Sequence, residues 1–191
     1  ILSQSLLIHT LSHILTLLTV YVNEREPCIT SKLYLTIDLF LELGGCYRRY
    51  HTAMMRTVVL GEPTDSMYEA ERVMLKALDE LHAHIRPGIT VSDVDNLARN
   101  IIMDNNTGGY LITRIGYSIG IAFPPSWDEG YMLSLKQGSS DVLRQNMTIH
   151  LIPWMWAIDG NKTAGISDTI RITEDGCESF FTLDRKFVIK K

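Results

Sequence analysis

The stretch that decides the fold is ELGGCYRRYHTAMMRTVVLGEP, residues 42–63. The loosely alternating run at residues 35–43 predicts a β-strand, and Gly44-Gly45 predicts a tight turn at its end. The polar and aromatic residues that follow, together with the β-rich run at 57–60, predict a returning strand. Gly61-Glu62-Pro63 is a turn signal, after which the chain is expected to enter a helix.

Two amphipathic helices are expected next. Apolar residues recur every three to four positions between residues 67 and 85, with Asp65 or Ser66 as the expected N-cap and Pro87-Gly88 as the end. Thr90-Val-Ser-Asp93 is a capping box that opens the second helix, and Gly108-Gly109 is expected to end it.

The second half of the chain is expected to consist of strands and loops. Residues 148–152 and 169–173 alternate between apolar and polar, which predicts two strands, and Glu174-Asp175-Gly176 predicts a hairpin turn. The order of strands, then helices, then strands predicts one α+β domain.

Composition excludes some classes of protein. The chain has 191 residues, 46% of them hydrophobic and 21% charged, which is typical of a globular domain. A net charge of −4 without a basic stripe argues against nucleic-acid binding. The three cysteines, Cys28, Cys46 and Cys177, form no CxxC motif and favour a reducing, cytoplasmic location.

The first 39 residues differ from the rest of the chain. They contain no glycine, and no charged residue precedes Glu24. The Leu-rich run at residues 1–22 is interrupted by Ser, Gln and His, so it is a poor membrane-spanning segment, and it lacks the features of a signal peptide. Two alternatives remain open for this segment: an incomplete or aberrant N-terminus, or a pair of amphipathic helices. We expect residues 1–39 to be separate from a catalytic domain at residues 40–191.

Glu42 is the candidate catalytic group. The HExxH, GxGxxG and P-loop signatures are absent, and Glu42 stands on a strand before two glycines, with Tyr50, His51 and Arg56 nearby in sequence. A buried carboxylate with a raised pKa can transfer protons or attack an electrophilic carbon. The structural alternative, which spacing alone favours, is an ion pair between Glu42 and Arg56 across the hairpin.

The order of the motifs resembles the pita-bread family of creatinase, prolidase and methionine aminopeptidase over residues 40–182. The matching elements are the Glu42 strand with Arg56-Thr57, Arg86-Pro-Gly88, Gly116-Tyr-Ser-Ile-Gly120, the stretch from Asn146-Met147 to Ile152-Pro153, and Ile172-Thr-Glu-Asp-Gly176. The resemblance implies a curved antiparallel sheet with helices packed on one face.

The departures from the family pattern are as informative as the matches. Metallopeptidases of this family hold two metal ions with two Asp, one His and two Glu. The corresponding positions here are Glu42, Ala53, Tyr117, Ile152 and Ser167. Four of these five are not ordinary ligands for a divalent ion, so no metal or other cofactor is expected.

The resemblance therefore favours the metal-free, creatinase-like branch, which acts on C–N bonds of small guanidino or cyclic amidine compounds. The runs at residues 116–128, 147–156 and 166–176 look most like the members that open the ring of ectoine. The substrate implied is ectoine or a related amidine, and a homodimer is implied as the assembly. The alternatives are a metallopeptidase of the Xaa-Pro type and an inactive binding module on the same fold.

The resemblance also implies the site residues. Glu42 and His51 are the expected catalytic residues, and the expected substrate-binding residues are Tyr50, Arg56, Tyr117, His150, Trp154 and Asp168. Structural roles remain open for three of them: Arg56 as an ion-pair or backbone partner, His150 as a satisfied core histidine, and Trp154 as core.

Overall fold

The computed structural model describes residues 4–9, 14–22, 37–122 and 126–190. Within those residues it has an α+β architecture of two helices and three β-sheets. In chain order the elements are β1 (Gln4–His9), β2 (Ile14–Val22), β3 (Ile37–Tyr47), β4 (Tyr50–Leu60), α1 (Asp65–His84), α2 (Val91–Met103), β5 (Gly116–Ser118), β6 (Ser134–Leu135), β7 (Thr148–Leu151), β8 (Trp154–Ile158), β9 (Lys162–Gly165), β10 (Asp168–Ile172), β11 (Cys177–Ser179) and β12 (Val188–Lys190).

The first sheet is built on the hairpin at the centre of the opening stretch. Its strand order is β1-β2-β3-β4-β12. All neighbours are antiparallel except β12, which runs parallel to β4. β3 and β4 have 11 residues each and pair from Ile37–Leu60 to Tyr47–Tyr50. The predicted strand and its return are confirmed, and both are longer than predicted.

The turn of this hairpin lies at Arg48 and Arg49, so the prediction of a turn at Gly44-Gly45 is wrong. Arg48 has φ 49° and Arg49 has φ 73°, and both glycines lie inside β3. A Cβ on Gly44 would lie 2.5 Å from Cζ3 of Trp127. Gly44 therefore admits an indole ring against the strand, which is a second use of glycine besides bending the chain.

The described parts of the N-terminal segment are strands. β2 pairs with β3 along its whole length, and β1 pairs with β2. The alternative of an amphipathic helix pair is therefore wrong for residues 4–9 and 14–22. The β-branched and aromatic residues of Ile14–Val22 favour a strand over a helix. The predicted boundary between residues 39 and 40 falls inside β3 and stays a prediction.

Both predicted helices are present. Thr64, not Asp65 or Ser66, is the N-cap of α1, and its hydroxyl accepts the backbone N–H of Met67 at 3.3 Å. The capping box of α2 is confirmed, since Thr90 accepts the N–H of Asp93 at 3.1 Å. The helix ends at Met103, before the two glycines that were expected to end it. α1 packs against α2, β8 and β9, and α2 also contacts β6.

The second sheet has the order β11-β10-β7-β5-β6, and β8 and β9 form a separate pair. The strands predicted at residues 148–152 and 169–173 are confirmed as β7 and β10. Hydrogen bonds join β10 and the residue before it to β4. The hydroxyl of Thr169 accepts the N–H of Ala53 at 3.0 Å and donates to its carbonyl at 2.8 Å. The N–H of Ser167 donates to the carbonyl of Met55 at 3.0 Å. These bonds bring Ser167 beside the strand partner of Glu42.

Candidate functional site

Glu42 lies in the middle of β3, opposite Met55 of β4, and is partly buried. Burial raises the pKa of its carboxyl group above the ordinary value, and the negative charge of Asp128 raises it further. A carboxylate with a raised pKa is a stronger proton acceptor than an ordinary glutamate.

A chain of three side chains lies in the second sheet. The Tyr117 hydroxyl is 2.8 Å from Nδ1 of His150, and Nε2 of His150 is 2.6 Å from the Ser167 hydroxyl. All three residues are buried. Burial and, to a smaller extent, the positive charge of Arg114 lower the pKa of His150 to about 3, so the imidazole is neutral at physiological pH. Burial also raises the pKa of Tyr117, as does the charge of Glu42, so the phenol keeps its proton.

Trp127 connects these three hydrogen-bonded side chains to β3, the strand of Glu42. Its indole N–H donates to the Tyr117 hydroxyl at 3.1 Å. Its six-membered ring occupies the space that a side chain at position 44 would fill. Trp127 therefore spans from Gly44, two residues after Glu42, to Tyr117.

Arg114 and Asp128 form an ion pair beside the same tyrosine. The Arg114 guanidinium lies 4.6 Å from the centroid of the Tyr117 ring, where a cation–π contact is favourable. Arg114 also donates to the Ser134 hydroxyl at 3.2 Å. Asp128, whose charge raises the pKa of Glu42, is thus paired with Arg114, whose guanidinium lies over the ring of Tyr117.

Arg56 and Asp168 lie together in a buried cluster. Arg56 donates to Asp168 at 2.9 Å and to the carbonyls of Met55 at 2.8 Å and Ser167 at 2.6 Å. Arg56 stands opposite Leu41 in the hairpin, so its side chain points to the face of the sheet opposite to that of Glu42. The alternative in which Arg56 pairs with Glu42 is therefore wrong.

Asp168 has a second partner. Its other carboxylate oxygen accepts from Arg185 at 2.6 Å. These bonds to Arg56 and Arg185 engage both oxygens inside the protein and favour a structural role for the cluster. Substrate binding by Arg56 and Asp168 stays a prediction.

His51 and Tyr50 lie near the tip of the hairpin. His51 is opposite Cys46, on the same face as Glu42 but four residues along the strand, roughly 13 Å at the usual rise per residue. Its Nδ1 is 3.3 Å from the carbonyl oxygen of Gly120. Tyr50 is 69% exposed. The structure does not bring these two residues to Glu42, and their catalytic and binding roles stay predictions.

Trp154 lies beside the Glu42 face of β3. Its ring centroid is 5.7 Å from that of Phe40, which is two residues before Glu42 on the same face. Trp156 stacks on Trp154 with centroids 4.9 Å apart. Both tryptophans are partly exposed, but their indole nitrogens are buried and have no hydrogen-bond partner within the described residues. Binding of substrate by Trp154 stays a prediction.

The side chains at the family's metal positions do not fit a two-metal centre. Ala53 and Ile152 carry no donor atom, and the hydroxyls of Tyr117 and Ser167 are bonded to His150. Across residues 37–122 and 126–190 there is no group of three or more His, Cys, Asp and Glu that could hold a metal ion. Glu42 is the one carboxylate that this set retains.

Gly116-Tyr-Ser-Ile-Gly120 has the spelling G-x-S-x-G of a nucleophile elbow, but its structure differs from one. An elbow is a sharp turn between a strand and a helix, whereas these residues form β5 and its continuation. The Ser118 hydroxyl donates to the carbonyl of Glu129 at 2.8 Å. Ser118 is therefore a structural residue.

Sequence reasoning missed three residues of the site: Arg114, Trp127 and Asp128. They lie in loops or beside short strands, where no periodicity marks them. The usable signal was the Trp127-Asp128 pair after two prolines, because a tryptophan in a polar loop needs a place to pack. Residues 123–125, which include both prolines, lie outside the described part of the chain.

Several known proteins are similar to this chain in sequence. Residues 35–174 match the model of metallopeptidase family M24. An ectoine hydrolase from Halomonas elongata is 36% identical over 154 residues, which are 79% of this chain and 37% of that protein. An Xaa-Pro dipeptidase from Pyrococcus horikoshii is 29% identical over 150 residues, which are 78% of this chain and 40% of the dipeptidase. The chain thus spans about two fifths of the length of these relatives.

Solved structures show the same fold. The crystal structure of an X-Pro aminopeptidase from Thermotoga maritima superimposes with a TM-score of 0.71 at 24% identity, covering 80% of this chain and 42% of the aminopeptidase. The predicted fold class, an α+β pita-bread architecture, is confirmed. Neither of the two described helices is long and apolar enough to cross a membrane.

Proposed function

We propose that this chain, which belongs to metallopeptidase family M24, hydrolyses a C–N bond in a small cyclic amidine, ectoine or a close relative. We propose further that it does so without a metal ion. The observation that carries the proposal is the set of side chains at the metal positions: a single carboxylate, Glu42, with a raised pKa, among residues that cannot hold two cations. The similarity to the Halomonas ectoine hydrolase supports the choice of substrate.

The chemistry of such a substrate matches the pocket. The carbon of an amidinium group is electrophilic and the group is cationic, so a carboxylate such as Glu42 attracts it. Glu42 attacks this carbon or takes a proton from a water molecule that does. Ring opening then requires that the C–N bond breaks and that the departing nitrogen receives a proton, while the carbon keeps the oxygen of water.

The surrounding residues have complementary roles in this proposal. Tyr117 stays protonated and lies near Glu42, so it is able to donate a hydrogen bond to the reacting group. Trp154 offers an aromatic face to the cation. His51 is proposed to bind or protonate the departing nitrogen, which requires its side chain to reach toward Glu42 along the face of the sheet that the two residues share. A homodimer and a cytoplasmic location are part of the same proposal.

Replacement of Glu42 tests the proposal. In the full protein, Glu42→Gln keeps the shape of the side chain and removes its charge, and we expect ectoine opening to fall by roughly 100-fold or more. Glu174→Gln, in an exposed turn, is the control and should keep the native rate. The rate is measured by NMR as the appearance of N-acetyl-diaminobutyrate. Ectoine opening at the native rate by Glu42→Gln would refute the role of Glu42.

An Xaa-Pro peptidase is the second candidate, because the Pyrococcus dipeptidase is also similar. Calorimetric titration with ectoine, hydroxyectoine, creatine and an Xaa-Pro dipeptide separates the candidates. Binding of the dipeptide, with turnover that requires stoichiometric zinc or manganese, would favour the peptidase. Absence of binding to all four compounds would favour an inactive binding module.

A further inference from the structure

Two short segments at the end of β5 lie side by side. The first arm, residues 118–122, begins with the last residue of β5, and the second arm is residues 126–129. The N–H of Glu129 donates to the carbonyl of Ser118 at 3.0 Å, and the Ser118 hydroxyl donates to the carbonyl of Glu129 at 2.8 Å. Ile119 and Asp128 form the next antiparallel bridge. Backbone pairing thus joins the two arms at Ser118 and Ile119.

The side chain of Glu129 joins the arms beyond these pairs. Its Oε1 accepts the backbone N–H of Ile121 at 2.8 Å and that of Ala122 at 2.7 Å. A Cβ on Gly120 would lie 3.0 Å from Oε2, so the glycine leaves room for the carboxylate. Glu129 is buried, and no ion pair is found for it within the described residues. Two successive N–H groups therefore bind a buried carboxylate that the chain itself supplies.

Both arms contact residues of the candidate site. On the second arm, the indole N–H of Trp127 donates to the Tyr117 hydroxyl at 3.1 Å, and its ring packs against Gly44 of β3. On the first arm, the carbonyl of Gly120 accepts the backbone N–H of His51, in β4, at 2.7 Å. The spacing of the arms therefore sets where Trp127 and Gly120 lie relative to the central hairpin.

We propose that Glu129 is a positioning residue of the site. Its carboxylate fixes the spacing of the two arms, which places Trp127 beside β3 and the Gly120 carbonyl beside β4. Glu129 acts here as a hydrogen-bond acceptor and not as an acid or base, because its Oε1 is engaged by Ile121 and Ala122. The effect on catalysis rests on the proposed function, whereas the contact between the arms does not.

Three substitutions separate positioning from proton transfer. Glu129→Gln keeps the length of the side chain and an oxygen that can accept both N–H groups, although uncharged acceptors form weaker bonds. Glu129→Asp keeps the charge but is one methylene group shorter, and Glu129→Ala has no acceptor. For a positioning residue, the Gln variant should resemble the native protein and the Asp variant should resemble Ala. A group that transfers a proton would instead lose its function in the Gln variant.

Amide hydrogen exchange measures the contact without substrate. In ¹⁵N-labelled full protein, the N–H groups of Ile121 and Ala122 should exchange roughly 10- to 100-fold faster in Glu129→Ala and Glu129→Asp, and within roughly 5-fold of the native rate in Glu129→Gln. Glu71→Ala is the matched control, because Glu71 on α1 accepts the backbone N–H of Phe187 elsewhere in the chain. It should leave both rates unchanged. Native exchange at both positions in Glu129→Ala would overturn the proposal.

Near-UV circular dichroism reports the placement of Trp127. The Trp127→Phe spectrum identifies the signal of this indole. We expect Glu129→Ala and Glu129→Asp to lose part of that signal, and Glu129→Gln and Glu71→Ala to keep it. A native near-UV spectrum in Glu129→Ala, together with faster exchange, would contradict the link between the arms and Trp127.

Kinetics report the consequence for ring opening. We expect kcat for ectoine to fall roughly 10- to 100-fold in Glu129→Ala and Glu129→Asp, and to stay within roughly 5-fold in Glu129→Gln, because a small misplacement of site residues is costly. A Glu129→Gln variant that exchanges like the native protein but is as slow as Glu129→Ala would refute the positioning role. If Glu42→Gln keeps full activity while the exchange rates respond as expected, the proposed function fails and the Glu129 contact stands.

Discussion

Two neighbouring glycines of β3 should respond in opposite ways to the same substitution. A Cβ on Gly44 would lie 2.5, 2.8 and 3.2 Å from three ring carbons of Trp127. A Cβ on Gly45 would meet the Thr52 methyl carbon at 3.7 Å, an ordinary van der Waals contact. Both glycines pair with β4 in the same antiparallel ladder, so Gly45→Ala is a matched control for Gly44→Ala.

The size of the effect follows from two opposing terms. Forcing an extra methyl group into a packed region costs about 1–3 kcal/mol. Alanine in place of glycine also restricts the unfolded chain, which stabilises the protein by about 0.4–1 kcal/mol where the backbone allows it. Gly45→Ala has only the second term and should be slightly more stable than the native protein. Gly44→Ala has both, so we expect it to be about 1–3 kcal/mol less stable than Gly45→Ala.

Urea unfolding followed by far-UV circular dichroism measures this difference, and the Tm should differ by several degrees in a domain of this size. Gly44→Ala should also change the near-UV spectrum, because Trp127 must move. Displacement of Trp127 breaks its bond to Tyr117, so ectoine opening should fall in Gly44→Ala and not in Gly45→Ala. Equal stability of the two variants, with unchanged near-UV spectra, would refute the packing of Trp127 against Gly44.

Two buried carboxylates give further predictions. Burial raises the pKa of Asp38 to about 6, so the folded protein holds this proton more tightly than the unfolded chain, and stability should fall as the pH rises from about 4 to above 6. Asp38→Asn should remove this fall, up to about 3 kcal/mol, in urea titrations at pH 4.5 and 7.5. Asp168→Asn weakens the pairing with Arg56 and Arg185 and should cost about 3–5 kcal/mol by thermal or urea unfolding. Glu178→Gln, in an exposed ion pair, should cost less than about 1 kcal/mol, and equal losses in these two variants would contradict the buried pairing.

The parts of the fold that depend on local sequence were predictable. The two helices follow from a 3.6-residue period, and the Thr90 capping box lies where its spelling predicts. The turn of the central hairpin was not predictable in this way. Arg48 and Arg49 occupy a left-handed conformation that is usually found at Asn-Gly or Gly-Gly. The nearby Gly44-Gly45 pair therefore led to the wrong position for the turn. The contact that explains Gly44 comes from Trp127, far along the chain.

That one error changes the partners across the hairpin. A turn at Gly44-Gly45 would place Glu42 opposite Tyr47, whereas the turn at Arg48 and Arg49 places it opposite Met55. The register of a hairpin is set by its turn, and it decides which side chains share a face. Neither register places Arg56 opposite Glu42, and in the structure Arg56 stands opposite Leu41, on the other face of the sheet. The presence of Glu42 on a strand depends on local pattern alone, and that prediction is confirmed.

The hydrogen bonds at the positions of the family's metal ligands favour a functional site over one that has lost its function. Loss of metal ligands by decay should leave buried polar atoms without partners, because nothing selects for new ones. The hydroxyls of Tyr117 and Ser167 are instead bonded through His150 at 2.6–2.8 Å, and Trp127 donates to the same tyrosine. None of these four side chains is among the buried unpaired atoms of the described residues. A network in which each of these four side chains has a hydrogen-bond partner, beside a carboxylate with a raised pKa, is the arrangement expected of a working pocket, and this favours an enzyme over an inactive binding module.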